Sequence, residues 1–463
     1  MRRWGYFTLV ALITLCLVFI YAAVGKAFEF TNRSVSNEDS VFFLPFQGAS
    51  QGEWTELGVS SASEGGISNN STRSGGPFIA VGQDNAPIVA WSDGEQTNTE
   101  IYIRRWDGLD WVEMGQGSAS GGGISKTPGD SASPVLAIHH KDSVYIAWVE
   151  ELILENDFYW EIYVLHWDGT AWTEVGQGSA SGGGVSDGEN LALYPQLTVT
   201  PNGVPILAWS QTVGTRGYLY VRYFDGLDWV EMGQGSASGG GLNNDFYGQN
   251  EIAMAINHRG YPTIAWGAGL CCIFAKQWNG SEWINMGPHS TTLPGIANGD
   301  LDDQIIGISL AIAPDQSPII AYAGRFGQGQ ISDGTTDVYV LRWNGSTWEE
   351  LGQGASFGGG ISKTGSAGYP SISVAPDGTA LVAWGEWGNG GPENYDIYAK
   401  YFNGTNWIEM GKNSASLGGI SNNDTRSLFQ SLAISRSGTP IIAWVDGWPG
   451  PEEIFVRKWG DLR

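Results

Sequence analysis

The sequence predicts an all-β chain: a seven-bladed β-propeller of four-stranded antiparallel blades. Three observations carry that expectation. A short phrase, most complete as Trp-Val-Glu-Met-Gly, returns seven times, led by Trp54, Trp111, Trp172, Trp229, Trp283, Trp348 and Trp407. Each Trp opens a stretch of about sixty residues with the same order of signals, and such a period marks an array of one supersecondary unit. Finally, the chain enters the array on a fourth strand and leaves it on a third, so each end supplies what the other lacks.

The unit can be justified strand by strand. Its first run, residues 370–374, alternates apolar and small polar residues and turns at Pro376-Asp377-Gly378. That alternation is the period of a strand with one buried face. The second run, 380–384, is apolar and ends in Trp; it recurs at 88–91, 206–209 and 441–444. A variable connection leads to the third run, 397–402, matched at 101–106 and 454–459. Asn403-Gly404 or Asp107-Gly108 then joins it to the Trp-led fourth run, and Asn-Gly or Asp-Gly between two β-rich runs is a strong hairpin signal. No helical periodicity appears after residue 30.

At the ends, Trp54-Thr55-Glu56-Leu57-Gly58 has no third strand before it, and the run 454–459 has no fourth strand after it. Pairing the N-terminal and C-terminal strands closes a ring and removes an aggregation-prone edge, whereas an open solenoid would need distinct caps. Tryptophan usage agrees. Of 22 Trp, seven lead fourth strands, six end second strands and five end third strands. Those rings suit the wedge between twisted sheets. Trp4 lies in the N-terminal segment, and Trp160, Trp387 and Trp448 are left over.

Residues 1–25 read as a signal peptide or signal anchor, 26–50 as a tether and 51–463 as the propeller. Met1-Arg2-Arg3 precedes an uncharged apolar run from Trp4 to Gly25, the pattern of an export signal. The run is long enough to span a bilayer, yet small-residue cleavage sites stand at 23–25 and 25–27. The propeller is therefore expected outside the cytoplasm, either secreted or held to the membrane by this segment alone. A formal net charge of −25 argues against nucleic acid and anionic membrane surfaces as partners. Beyond Cys16 the only cysteines are the neighbours Cys271 and Cys272, which form either a strained vicinal disulfide or two free thiols.

Loop lengths sort the two faces. First-to-second and third-to-fourth connections are tight turns; second-to-third and fourth-to-first connections are longer and emerge on the opposite face, where binding residues are expected. The fourth-to-first loops are nearly uniform and Gly-rich, as in residues 117–125 and 178–186. With no helix and no Lys-Ser/Thr after them, they do not read as phosphate cradles but as scaffold. The second-to-third connections hold Trp160, Trp387 and Trp448, with Phe158, Tyr159 and Tyr395 beside them. Flat aromatic faces there suit sugar rings, ligand cations or a protein surface, or they cover their own loops.

Acidic residues mark the same connections. Asp93, Glu150, Glu386 and Asp446 stand two positions after a second-strand Trp, while Glu100, Glu161, Asp337, Asp396 and Glu453 stand before third strands. A hairpin would pair Asp93 with Glu100, Glu150 with Glu161, Glu386 with Asp396 and Asp446 with Glu453. Like charges so placed need compensation, by Ca²⁺, another cation, polyol hydroxyls or water. No cofactor is otherwise indicated. The five His are scattered, and no nucleophile-base set stands out. Paired carboxylates can cleave glycosides, but their spread over four blades suits repeated binding sites better.

The turns Asp107-Gly108-Leu109-Asp110-Trp111 and Asn344-Gly345-Ser346-Thr347-Trp348 resemble the Gly-x-x-Trp half of the Asp-box of sialidase-type propellers. The leading Ser/Thr is missing and the acid-to-Gly spacing is one residue shorter. No Arg cluster for a sialic acid is evident among Arg73, Arg216, Arg325 and Arg426. Over residues 51–463 the array is more similar to repeat propeller lectins of bacteria and fungi. That resemblance implies a non-enzymatic, lectin-like, carbohydrate-binding protein that uses the long-loop face. The alternatives are a cell-surface protein-interaction scaffold and a sialidase-like glycoside hydrolase.

Overall fold

The computed structural model describes residues 52–461, apart from 96–97, 141, 155–156, 187–190, 215, 244–245, 248–250, 269–271, 289–294, 298–304, 325–335, 357, 388–394 and 449. The expected signal and tether, Cys16, Cys271 and Arg325 lie outside the described residues. Within the unit Leu44–Arg463 the strands fall into seven antiparallel four-stranded meanders, of which the second and third are joined by one parallel bridge and the third gains a short extra strand, Phe246–Tyr247. Blade 1 comprises Arg73–Val81, Pro87–Glu95, Asn98–Trp106 and Trp111–Glu113; blade 2 comprises Ser131–His140, Ser143–Leu154, Asp157–Trp167 and Trp172–Glu174. Blade 3 is Leu191–Val199, Pro205–Val213, Arg216–Phe224 and Trp229–Glu231, and blade 4 is Ile252–Ile256, Pro262–Ala268, Cys272–Trp278 and Trp283–Asn285. Blades 5 and 6 run Ile305–Ile312, Pro318–Gly324, Asp337–Trp343, Trp348–Glu350, and Ala367–Val374, Ala380–Trp387, Tyr395–Phe402, Trp407–Glu409. Blade 7 takes Arg426–Ile434, Pro440–Trp448 and Glu453–Asp461 from one end of the chain and Gly52–Glu56 from the other.

That last pairing closes the ring. Gly52 is opposite Asp461, Trp54 opposite Trp459 and Glu56 opposite Arg457, with the two indoles edge to face at 5.6 Å. The first strands are innermost and touch one another in a closed circuit, blade 7 meeting blade 1. Neighbouring blades share their cores. Trp148 of blade 2, for example, packs with Ile88, Ile101 and Ile103 of blade 1. All six second-strand Trp are buried, and each ring contributes roughly 2–3 kcal/mol by leaving water.

The Trp phrase is an inter-blade lock. In all seven repeats the fourth-strand indole N–H donates to a backbone carbonyl of the preceding blade. Trp111 reaches Leu57 at 2.8 Å, Trp172 reaches Met114, Trp229 reaches Val175 and Trp283 reaches Met232. Trp348, Trp407 and Trp54 reach Met286, Leu351 and Met410, the last bond crossing the closure at 3.2 Å. Each bond is worth about 1 kcal/mol, and the aromatic burial around it more.

The Gly-rich loops follow from one close approach, also repeated seven times. Each loop crosses its own blade's third strand, where a loop N–H donates to a strand carbonyl: Ile67 to Ile454, Ile124 to Ile101, Val185 to Ile162, Leu242 to Leu219, Ile296 to Ile273, Ile361 to Val338 and Ile420 to Ile397. The residue just before each donor is Gly at positive φ, 66° at Gly184 for instance, and a Cβ there would collide with the same carbonyl. Only glycine fits. The irregular stretch before residue 300 keeps this minimum, Gly295 then Ile296.

Candidate functional site

The predicted carboxylate pairs are cross-strand partners: Asp93 with Glu100, Glu150 with Glu161, Glu386 with Asp396, and Asp446 with Glu453. All eight are buried, although the sequence reading expects them to face a ligand. Their oxygens are turned to internal donors. The second-strand acid accepts the indole N–H of the Trp two positions earlier, as in Trp148 to Glu150 at 2.8 Å and Trp384 to Glu386 at 2.8 Å. The third-strand acid accepts a hydroxyl from the loop residue that follows the loop N–H donor: Ser125 to Glu100, Ser186 to Glu161, Ser421 to Asp396 and Ser68 to Glu453. The fifth acid, Asp337, binds Ser362 at 2.7 Å in the same way.

These acids therefore tie each loop to its blade, and they also bridge blades. Between blades 7 and 1, Asn70 and Thr72 bind Asp93 while the N–H of Asn70 binds Glu453. Third-strand acids of one blade thus approach second-strand acids of the next. Burial, and then Glu100, raises Glu150 above the usual carboxylate range, although Thr127, Ser131 and Trp148 partly offset this. Burial raises Glu386 and Glu453, helped by Asp337 and Asp93 respectively. Burial raises Asp396 to about 6, with Asp446 adding to it. Among the described residues no three His, Cys, Asp or Glu gather in a metal-binding arrangement.

Blade 4 dispenses with this polar network. Ala268, Cys272 and Ala297 stand where blades 1, 2, 6 and 7 carry the second-strand acid, the third-strand acid and the loop serine; blade 3 has Gln211, Tyr218 and Asn243 there, and blade 5 has Gly324 for the second-strand acid. In consequence the buried Trp266 N–H meets no acceptor among the described residues. Cys272 is buried and disulfide-bonded; Cys271 lies outside the described residues.

The predicted aromatic residues sit on longer strands than the loop reading expects. The blade 2 hairpin pairs as far as Leu154 with Asp157, so Tyr159 and Trp160 belong to the strand, with Tyr159 opposite Leu152 and Trp160 opposite Glu151. Trp160 is 37% exposed, and its backbone bridges to Leu191 of blade 3. Trp387 ends its strand opposite Tyr395, and Trp448 ends its strand opposite Arg426. The side chains of Trp387, Trp448 and Phe158 lie outside the described residues. Tyr395 is half-buried, with the Arg426 guanidinium 5.2 Å from its ring centroid.

The structure adds a group that the sequence reading missed. In six blades the innermost strand carries a bulge, and at four of these a non-glycine residue sits at positive φ: Ser133 (54°), Tyr194 (54°), Tyr369 (50°) and Phe429 (54°). The left-handed region is unfavourable for a bulky side chain. Tyr194 is nevertheless 39% exposed, and Tyr369 and Phe429 are each 54% exposed. The bulges re-aim these side chains. Tyr369 and Phe429 come within 6.4 Å, centroid to centroid. Burial, then Glu251 and Tyr369, raises the Tyr194 phenol; burial, then Glu251 and Tyr395, raises that of Tyr369. The signal for the bulges was present: Pro77, Pro134, Pro195 and Pro370 interrupt the innermost strands, and proline within a sheet marks a bulge or an edge.

Glu251 immediately precedes the innermost strand of blade 4 and is half-buried, and burial raises its carboxyl, partly countered by the Gly307 N–H. Among the described residues, two repeat-equivalent open crevices, of about 560 and 550 Å³, lie on the tight-turn face beside the Arg105–Asp84 and Arg342–Asp315 ion pairs, and one of about 650 Å³ runs along the Gly-rich loop between blades 1 and 2.

No protein-family model matches this chain, and no curated protein does. Solved structures resemble it in fold. A polysaccharide lyase of family 25, an ulvan lyase bound to an oligosaccharide, superposes with a TM-score of 0.50 at 11% identity, covering 83% of this chain and 93% of that one. A protein of unknown function from Dyadobacter fermentans gives 0.47 at 13% identity over 85% and 96% of the two chains. An α-L-arabinofuranosidase from Fusarium graminearum complexed with arabinobiose gives 0.45 at 12% identity over 89% and 98%. At these identities the likeness concerns the β-propeller fold.

Proposed function

We propose that this is an extracytoplasmic, lectin-like carbohydrate-binding protein whose ligand meets the long-loop face at the mouth of the ring. The observation that carries this reading is the set of exposed aromatic rings, Tyr194, Tyr369 and Phe429, held in unfavourable backbone conformations on innermost strands. Such outliers persist where the surroundings over-determine them, and they cluster at ligand sites. Exposed aromatic faces, two of them 6.4 Å apart, suit the apolar faces of sugar rings. The export-type N-terminus supports the location, and the acidic character disfavours nucleic acid as the partner. Trp160 extends the surface outward along blade 2. The buried carboxylates support the site by fixing the loops around it.

A glycan array probed with the full chain, with and without a calcium chelator, tests this reading. Specific signal that disappears in Tyr369→Ala and Phe429→Ala would support it, and chelator sensitivity would show whether Ca²⁺ takes part. A blank array from folded protein would overturn it and turn the search toward a protein partner.

A further inference from the structure

Five of the six second-strand Trp donate their indole N–H to the side chain two positions later. The acceptor is a carboxylate in four blades: Asp93 at 3.1 Å, Glu150 and Glu386 at 2.8 Å, and Asp446 at 2.9 Å. In blade 3 it is the Gln211 carbonyl oxygen at 2.7 Å. Blade 4 has alanine at this position, Ala268, a residue type with no acceptor in its side chain. The Trp266 indole is fully buried, and its N–H meets no acceptor among the described residues. Buried donors are normally satisfied, and one that is not points to a bound group or a functional role.

Two more polar atoms face the same seam. Trp266 packs with Ile206 and Ala208 of blade 3. Ser210 and Thr212 continue that face at the strand period of two. Neither hydroxyl has a hydrogen-bond partner among the described residues. Ser210 is buried, and Thr212 is half-buried towards the end of its strand. Lys276 also lines this seam: its ammonium donates to the Leu242 carbonyl at 2.9 Å, and Leu242 packs with Trp266. Acids are placed away from it. The third-strand position that holds Glu100 in blade 1 holds Tyr218 in blade 3. Glu251 stands opposite Gly267, on the face where a Cβ would meet Ile305 and Ile308 of blade 5. The mouth of the ring adjoins the seam, because the bulge bearing the exposed Tyr194 lies between Leu193, opposite Ser210, and Gln196, opposite Ala208.

An indole N–H, two hydroxyls and an ammonium are all able to donate. A carboxylate is acceptor-only and takes several donors at once, most strongly beside a cation. The repeat supplies the template, since a carboxylate receives the equivalent N–H in four blades. We propose that the seam between blades 3 and 4 receives a carboxylate of the ligand, held by Trp266, Ser210 and Thr212 with Lys276 as the cation of the seam. The proposal rests on the reading of the mouth as a carbohydrate site and names the sugar class, a uronate lying against Tyr194. Two sources share this chemistry: a uronate residue of a glycan, and a small free carboxylate. One site per chain follows, because the other second-strand Trp already have acceptors.

Calorimetric titration of the full-length protein tests it with three probes: a galacturonate trimer, the methyl ester of that trimer, and acetate. The expected result is one site per chain for a free-acid probe, with the methyl ester at least about tenfold weaker. Trp266→Phe keeps a buried ring but removes the N–H, and should weaken that binding by about tenfold. Ala268→Glu installs the internal acceptor of blades 2 and 6, and should abolish binding at an unchanged or higher thermal midpoint. Binding of the trimer alone assigns the uronate; binding of acetate assigns the small carboxylate. Equal binding of trimer and methyl ester overturns the carboxylate subsite while leaving the carbohydrate reading intact. Undiminished binding by Trp266→Phe also overturns it, because the attraction would then lie elsewhere. So does failure of the folded protein to bind either free acid, whatever the glycan array shows.

Discussion

Tyr369 and Phe429 hold aromatic side chains at φ 50° and 54°, where Gly76 in blade 1 holds none at 53°. The left-handed conformation costs a bulky residue of order 1–3 kcal/mol, and glycine would be free of that cost while adding its own chain entropy of roughly 0.5–1 kcal/mol. Tyr369→Gly and Phe429→Gly are therefore expected to leave stability within about 1 kcal/mol of the parent, or to raise it, while abolishing ligand binding. Urea unfolding beside a binding assay checks both halves; a large loss of stability would mean that the rings hold the ring of blades together. Tryptophans differ in the same residue-by-residue way. Trp148→Phe removes the donor to buried Glu150 and should cost about 1–3 kcal/mol beyond the change in volume. Trp266→Phe removes an N–H that meets no acceptor among the described residues and should be distinctly milder, as a matched pair of denaturation curves would show.

Among the elements, the fourth-to-first loop is held at three points: a fourth-strand glutamate, a third-strand carbonyl and a buried acid. In blade 2 these are Glu174, which accepts from the N–H of Gly178 and Ala180, the Ile162 carbonyl, and Glu161, which accepts from Ser186. Ser186→Ala would deprive Glu161 of its hydroxyl donor and the Ile162 N–H of its hydroxyl acceptor at 2.9 Å. It should cost about 1–3 kcal/mol and speed amide hydrogen exchange across residues 178–186 more than elsewhere. The period, the hairpin turns and the pairing of the two chain ends could be read from the sequence because they depend on local patterns repeated in series. The register of the acid pairs was equally legible, since a hairpin fixes it. Their burial was not: it depends on Ser125, Ser186 and Ser421, about 25 residues further along each repeat. Tyr194 and Tyr369 escaped notice because their exposure depends on bulges in strands read as regular, although the prolines after them marked those bulges. Tyr159 and Trp160 were read as loop residues because variable composition hid a hairpin that goes on pairing.

At the scale of the whole molecule, two sets of carboxylates respond oppositely to pH. Asp396, raised from 3.8 to about 6, and Glu150, Glu386 and Glu453, also raised, are easier to bury protonated. Their contribution to stability is complete below their unfolded values and is lost as pH rises through the folded ones. Desolvation also pushes Glu113, Glu174 and Glu231 upward, but hydroxyl and N–H donors from the loops outweigh it and hold them low. Their contribution is present above the usual carboxylate range and is lost as pH falls through their folded values. The thermal midpoint should therefore pass through a maximum between pH 4 and pH 6, relative to the 3.8-to-6 span of Asp396, and Asp396→Asn should flatten its alkaline side. A midpoint that rises steadily to pH 8 would contradict this assignment of the buried acids.

The ring closure also sets a timetable for making the protein. Among the described strands Gly52–Glu56 is synthesised first, and its hydrogen-bonding mate Glu453–Asp461 last. The opening segment must therefore wait, unpaired, while every other blade is completed, and that wait exposes a strand edge. A ribosome stalled in the final blade would release six finished blades and an open seam. Growth of the nascent chain should show the final gain in protease resistance only when residues 453–461 become free to pair.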